Sequence, residues 1–435
     1  MAATLKLVTA LLLVSSTSVY GRNAPVVPRK GAAYTGTYRN MFVEAGYDNT
    51  VIQQRVQSIV QQLFYGNPSN EAVMFPSQDP SVPGLYIEDI NNQDVRTEGM
   101  SYGLMDMVQL NNQTGFDLIW NWWRTYMLHT ESTDPQQGYS RWHVHTNGGQ
   151  MDEGSASDGE TFAVSALIYA SSRWGDNTGK FNYTAEAQFI FDAILFKEAS
   201  CNSANGCQGV TNMFGSFYND NRPPLVAFCP DMGSNSFTDP SYHTPHFYES
   251  WAMATVANRN TGTFWNQVIN ASRSFLMKAA YPGTALTPDY ATYSGQPTGS
   301  GNNAYFSFDA YRSARNVAID VAWFANPDFF DQQVNFCNTL LTFFRNQPNW
   351  PNYGNQYQLN GQNMDNTMSP GLYGMNALCS LASNLTISYD FVDALYNLST
   401  PTGQFRYYDG VLYLEAWLHL SGNYKVLAPV NPVPY

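Results

Sequence analysis

Three carboxylic side chains stand at or near expected helix starts. They are Glu98 in Arg96-Thr97-Glu98-Gly99, Asp158 in Ser157-Asp158-Gly159-Glu160 and Asp309 in Ser307-Phe308-Asp309-Ala310. Carboxylates far apart in sequence but able to meet in one cavity suit a reaction in which one protonates one side of a bond and another deprotonates water on the other side. That is the acid–base chemistry of glycosidic bond hydrolysis. Glu98 is the candidate acid, because partial burial beside Gly99, Met100 and Tyr102 would disfavour its charged form. Asp309 is the candidate base, because a first-turn position and Arg312 one turn later both favour the carboxylate. Each also has a plainer reading: a partner of the helix dipole for Glu98, a surface i,i+3 ion pair for Asp309. Ser157 and Glu160 fit a capping box, which leaves Asp158 just inside the first turn, pointing away from the helix end and free to grip a sugar hydroxyl.

Aromatic residues could complete such a site. Tyr242, in Asp239-Pro240-Ser241-Tyr242-His243, could hold a water through its hydroxyl, and Trp142, in Gly138-Tyr139-Ser140-Arg141-Trp142-His143, could serve as a stacking platform. Core packing is the plainer reading for either ring. His143 and His145 alternate as on a strand but lack a third ligand, so no metal is expected. There is no Gly-X-Ser-X-Gly elbow, phosphate loop or His-Glu-X-X-His, and no cofactor is expected.

The elements that must position these residues read as helices. Thr50 to Tyr65 places Ile52, Val56, Ile59, Val60 and Leu63 on one face, with Asn49 or Thr50 as cap and Gly66 as terminator. Similar spacing recurs over 103–110, 116–127, 160–173, 185–196, 264–279, 310–324, 332–344, 371–382 and 412–420. Strand-like alternation is rare. Helices joined by long loops, without a repeating 34- or 40-residue motif, favour a closed all-α toroid over a solenoid. Such a ring explains why 435 residues show no linker. The expected organisation is a signal peptide over 1–21, an N-terminal extension over 22–35 and one catalytic domain over 36–435.

Lys6, the apolar run Leu7 to Val14 and small residues before Arg22 read as a secretory leader, too short to span a bilayer. The mature chain is therefore expected outside the cell, off the membrane and as a monomer. A net charge of −13 without a basic stripe excludes nucleic acid as partner. Charged residues make up 13% and aromatics 15%, with 29 Tyr and 10 Trp, a surface suited to a neutral polyhydroxyl ligand or simply to an exported protein with a large core. The five cysteines suggest one or two disulfides and a leftover thiol, with Cys201 and Cys207, which bracket a short loop, as the first expected pair. Sequons at Asn112, Asn182, Asn270, Asn384 and Asn397 fit a glycosylated surface.

Taken together, these segments resemble glycoside hydrolase family 8, an inverting family. The likeness runs in order from Gly36-Thr37-Tyr38-Arg39-Asn40 through the three carboxylate motifs, Ser171-Ser172-Arg173-Trp174-Gly175 and Asp239-Pro240-Ser241-Tyr242-His243, to Pro401 through Gly410. The resemblance implies an (α/α)6 barrel with Glu98 as general acid, Asp309 as general base, Asp158 at the sugar beside the scissile bond and Tyr242 positioning water. It also implies Trp142, Arg312 and Tyr408 as substrate contacts. Ser-Tyr-His and the Arg-Tyr-Tyr-Asp-Gly tail resemble the xylan-active branch, so xylan or xylo-oligosaccharide is the expected substrate. The exo-acting members share a Leu-His-Pro insertion that blocks the leaving-group side. This chain reads Asn366-Thr367-Met368-Ser369-Pro370-Gly371-Leu372 there, which leans toward an endo-β-1,4-xylanase. The alternatives are a reducing-end xylose-releasing exo-oligoxylanase, an endoglucanase or chitosanase, and a non-catalytic xylan-binding protein on the same scaffold.

Overall fold

A computed structural model describes residues 22–200, 207–216, 221–254 and 263–428, so the expected leader and Cys201 lie outside the described residues. Among the described residues, twelve helices exceed two turns. They are α1 (Asn49–Tyr65), α2 (Thr97–Gln109), α3 (Gln113–Tyr126), α4 (Ser157–Trp174), α5 (Tyr183–Ser200), α6 (Pro245–Met253), α7 (Phe264–Ala279), α8 (Tyr311–Trp323), α9 (Phe330–Arg345), α10 (Pro370–Leu378), α11 (Ser388–Asn397) and α12 (Arg406–Leu420).

Two burial patterns sort them. Odd-numbered helices such as α1 bury one stripe, there Ile52, Val56, Ile59, Leu63 and Phe64. Even-numbered helices are buried nearly all round; in α4 every residue from Ser157 to Ala170 is buried. Contacts pass from α2 to α4, α6, α8, α10 and α12, and return from α12 to α2, while α3, α5, α7, α9, α11 and α1 each back one of these helices. An apolar stripe suffices for a helix with one covered face, whereas a helix enclosed by neighbours must be apolar or internally paired on every side.

Small sheets were not expected and are present. β1 (Met74–Pro76), β2 (Leu85–Asp89), β3 (Asp94–Arg96) and β4 (His143–His145) form an antiparallel sheet in that order, with Arg96 opposite His143. β3 runs straight into α2, so the sheet fixes the backbone just before Glu98. β5 (Gln356–Tyr357) and β6 (Asn363–Asp365) form a second, two-stranded pair.

Three local expectations are corrected. Asp48, rather than Asn49 or Thr50, caps α1 through the Val51 N–H. The capping box at α4 does not form, because Glu160 instead accepts from the Ser140 N–H at 2.6 Å and the Ser155 hydroxyl at 3.0 Å. Asp309 lies before α8 rather than in its first turn. The segment before residue 36 packs on the body: Arg22 pairs with Asp393 at 2.8 Å, and a Cβ at Gly31 would fall 2.0 Å from the Trp323 carbonyl. Cys207 is disulfide-bonded, whereas Cys229, Cys337 and Cys379 are free thiols. Of the sequons, Asn270, Asn384 and Asn397 are exposed, while Asn112 and Asn182 are half-buried. No helix of the described residues is long and apolar enough to cross a membrane.

Candidate active site

The starts of α2, α4, α8 and α12 bring their side chains together. Two glycines make the closest approach possible. A Cβ at Gly159, the second residue after Ser157 in α4, would lie 2.4 Å from Thr97, the first residue of α2. A Cβ at Gly99 would lie 2.5 Å from the Tyr407 ring at the start of α12. The Glu-Gly and Asp-Gly pairs in the sequence therefore mark where helix ends meet, with the carboxylate one residue before each contact.

Arg312 organises the cluster. Its Nη1 lies 2.7 Å from Glu98 Oε2 and 2.9 Å from Asp158 Oδ2, and its Nη2 lies 2.7 Å from Asp309 Oδ1. Nη1 also donates to the Tyr102 hydroxyl at 3.1 Å, and the guanidinium sits 5.6 Å from the centre of the Tyr242 ring. One rigid fork of donors thus serves three carboxylates, something a point-charge ammonium could not do. Side-chain exposure is 1% for Arg312, 16% for Glu98, 10% for Asp158 and 34% for Asp309. The cation lies beneath its partners. Arg312 was expected among the sugar contacts, but burial and its four polar partners leave it facing the carboxylates.

Burial raises both cleft carboxyls. Burial pushes Glu98 up to about 7; Arg312 opposes this, while Asp158 and Asp309 add to it. The other oxygen of Glu98 accepts from the Tyr407 hydroxyl at 3.0 Å, which orients the group. Asp309 was expected to stay low because of Arg312. Its carboxyl is instead raised above its ordinary value, since burial against dense protein outweighs the guanidinium and Asp158 adds repulsion. One side of Asp309 nevertheless remains open to the cleft.

Glu98, Asp309, Tyr407 and Tyr408 line one cleft of about 590 Å³, together with the exposed rings of Phe308 and Phe405. Tyr408 is half-buried, and its hydroxyl donates to the Phe308 carbonyl at 2.6 Å. Tyr242 is buried, with 6% exposed, and stacks on Phe228 with ring centres 5.6 Å apart. Trp142 stacks flat on His143 at 3.6 Å, and its carbonyl accepts from the Thr97 N–H at 2.9 Å, next to Glu98. Sequence reasoning missed Tyr407 and two buried carboxyls, Asp239 and Asp289. Tyr407 was quoted only as part of the tail motif, and the signal that could have singled it out was Gly99, whose missing side chain implies a ring against it.

A cleft with one carboxyl that holds its proton to about neutral pH, and another carboxyl nearby, can donate a proton to a leaving oxygen and accept one from water. Those are the features that glycosidic bond hydrolysis requires of a site. The comparisons name the family. The sequence model described as "Glycosyl hydrolases family 8" matches residues 71–203 and 226–419, and the chain belongs to that family. It is 38% identical over 402 residues, covering 91% of this chain and 98% of the relative, to the reducing-end xylose-releasing exo-oligoxylanase Rex8A of Paenibacillus barcinonensis. It is 37% identical over 92% of the chain and 97% of the relative to a reducing end xylose-releasing exo-oligoxylanase of Halalkalibacterium halodurans. Among solved structures, a family 8 xylobiose complex from Teredinibacter turnerae superposes with a TM-score of 0.83 at 38% identity, covering 92% of this chain and 100% of that one.

Proposed function

We propose that this chain hydrolyses β-1,4-xylosidic bonds by a single displacement that inverts the anomeric carbon. Glu98 protonates the departing oxygen, Asp309 takes a proton from the attacking water, Asp158 grips the sugar at the scissile bond and Tyr242 helps to orient the water. The observation that carries this reading is the placement of Glu98 and Asp309 on different nitrogens of one guanidinium, each at 2.7 Å. That geometry limits the separation of their nearest oxygens to roughly 8 Å. That ceiling admits the ~6.5–9.5 Å of inverting enzymes and the ~5–5.5 Å of retaining ones alike, so the inverting outcome rests on the resemblance to an inverting family. The closed run of contacts among the even-numbered helices supports an (α/α)6 barrel. The leader pattern supports work outside the cell.

Within xylan chemistry, the relatives named as exo-oligoxylanases shift the weight from internal cleavage to release of xylose from the reducing end of oligomers. Endo action remains the second reading, on one observation: Thr367, Met368 and Ser369, which line the cleft, carry no Leu-His-Pro triplet. Digestion of xylohexaose, long xylan, β-glucan and chitosan, followed by NMR of the products, tests both. Stepwise loss of xylose from xylohexaose, with long xylan left almost intact, supports the exo reading. Internal fragments of long xylan support the endo reading. Turnover confined to β-glucan or chitosan contradicts both.

A further inference from the structure

Asp289 lies in the loop between α7 and α8 and is 6% exposed. Both its oxygens are taken by the turn that carries Asp309. Oδ1 accepts from the Ala310 N–H at 3.0 Å, and Oδ2 accepts from the Ser307 hydroxyl. The start of α8 has no side-chain cap of its own, so Asp289 satisfies that helix end from another segment. One carboxylate therefore grips the turn Ser307–Ala310 at both ends, while Tyr408 holds its middle through the Phe308 carbonyl at 2.6 Å.

The gripping loop is itself fixed. The Asp289 N–H donates to the Tyr305 carbonyl at 2.9 Å, the Tyr290 N–H donates to the Asn303 carbonyl at 2.8 Å, and Ala291 pairs with Thr238. Without this support the turn would present an exposed Phe308 and a third-exposed Asp309 on four residues of irregular backbone. A base displaced by about 1 Å loses on the order of a hundredfold in rate.

We propose that Asp289 is a positioning residue for hydrolysis: by clamping Ser307–Ala310 at both ends, it fixes the direction of the Asp309 carboxylate toward the attacking water. This rests on the reading of Asp309 as the base. Asp289 itself touches no substrate, because both of its oxygens are occupied within the protein and it does not line the cleft.

The test compares Asp289→Ala and Ser307→Ala with wild type on whichever xylo-oligosaccharide wild type cleaves. Affinity is measured by calorimetry in Glu98→Gln and Glu98→Gln/Asp289→Ala proteins, which turn over too slowly to consume the ligand. The expected result for Asp289→Ala is a fall in kcat of roughly a hundredfold with KM within about twofold. Ser307→Ala, which loses one of the two clamp bonds and folds more safely, should show a smaller fall of the same kind. Affinity should match between the two Glu98→Gln proteins. An unchanged kcat in both variants, or kcat and affinity falling together as general destabilisation would make them, overturns the inference. A wild type inactive on every xylo-oligosaccharide overturns the functional reading first, and the inference with it.

Discussion

Glu98 and Asp309 share one cation, each 2.7 Å from a different nitrogen of Arg312. The cation thus keeps their nearest oxygens within roughly 8 Å of each other. Burial raises both carboxyls, Glu98 to about 7, and the guanidinium opposes the rise at each.

Glu98→Gln keeps the shape of the side chain and removes its transferable proton. Turnover should fall by roughly 10³, about 4 kcal/mol of barrier, while oligosaccharide affinity is kept. In the unmutated chain, kcat/KM should decline as pH rises through about 7, where Glu98 loses its proton. Steady-state kinetics across pH checks both, and a residual rate near that of wild type would remove Glu98 from the chemistry.

Arg312→Met leaves three carboxylates facing one another without a cation. Loss of one partner from a buried ionic cluster typically costs about 3–5 kcal/mol. The cost should be smaller at pH 6.5 than at pH 8, since Glu98 takes up a proton as pH falls through about 7. Urea unfolding at the two pH values measures it. A variant as stable as wild type at pH 8 would mean that the cluster contributes nothing to the fold.

Gly159→Ala sets helix propensity against packing. Ala is the better helix former by about 1 kcal/mol, but its Cβ would meet Thr97 at 2.4 Å, with α2 and α4 both fixed by their other neighbours. Packing should win, with a loss of about 1–3 kcal/mol. Thermal unfolding gives the sign directly, and a higher Tm for the variant would show that the two helices can separate freely.

The stability of the whole molecule should fall between pH 6.5 and pH 8. Burial raises Glu98 and Glu160 to about 7 and Asp289 to about 8, and raises Asp106 and Asp239 as well. The folded chain therefore binds more protons than the unfolded one from the ordinary carboxyl range up to these raised values, and stability is lost as pH climbs through that window. Buried His243, lowered to about 3, and His246 and His419, also lowered, act in the opposite direction, but only below the ordinary histidine value of 6.5. Between that pH and about 8, where Lys197, lowered to about 8 by burial, begins to oppose them, the carboxyls set the trend. Scanning calorimetry should give the higher Tm at pH 6.5, and a higher Tm at pH 8 would contradict the assigned burial.

Residues that act through local spacing were legible in the sequence. The stripe of α1 and the full span of α7 follow from periodicity, because each has one covered face. Glu98 and Asp158 stood out by their places at helix starts, and both meet at Arg312. Periodicity picked up α2 only from residue 103 and missed α6 altogether for a shared reason: a helix buried on nearly every side has no polar face to set the period. Arg312 read as half of a surface pair because its links to Glu98 and Asp158 bridge residues more than a hundred positions apart. Asp289 and Tyr407 likewise act only through folding partners, and Asp309 was misjudged because its burial depends on helices that its own segment does not reveal.

The central claim is a single displacement between Glu98 and Asp309, and the most direct measurement is proton NMR of xylohexaose during its first minutes of hydrolysis, faster than the new reducing ends mutarotate. The expected result is that the α-anomer appears first at each newly formed reducing end and the β-anomer only later. Initial release of the β-anomer would contradict the account, since it would require a covalent intermediate in place of a single displacement.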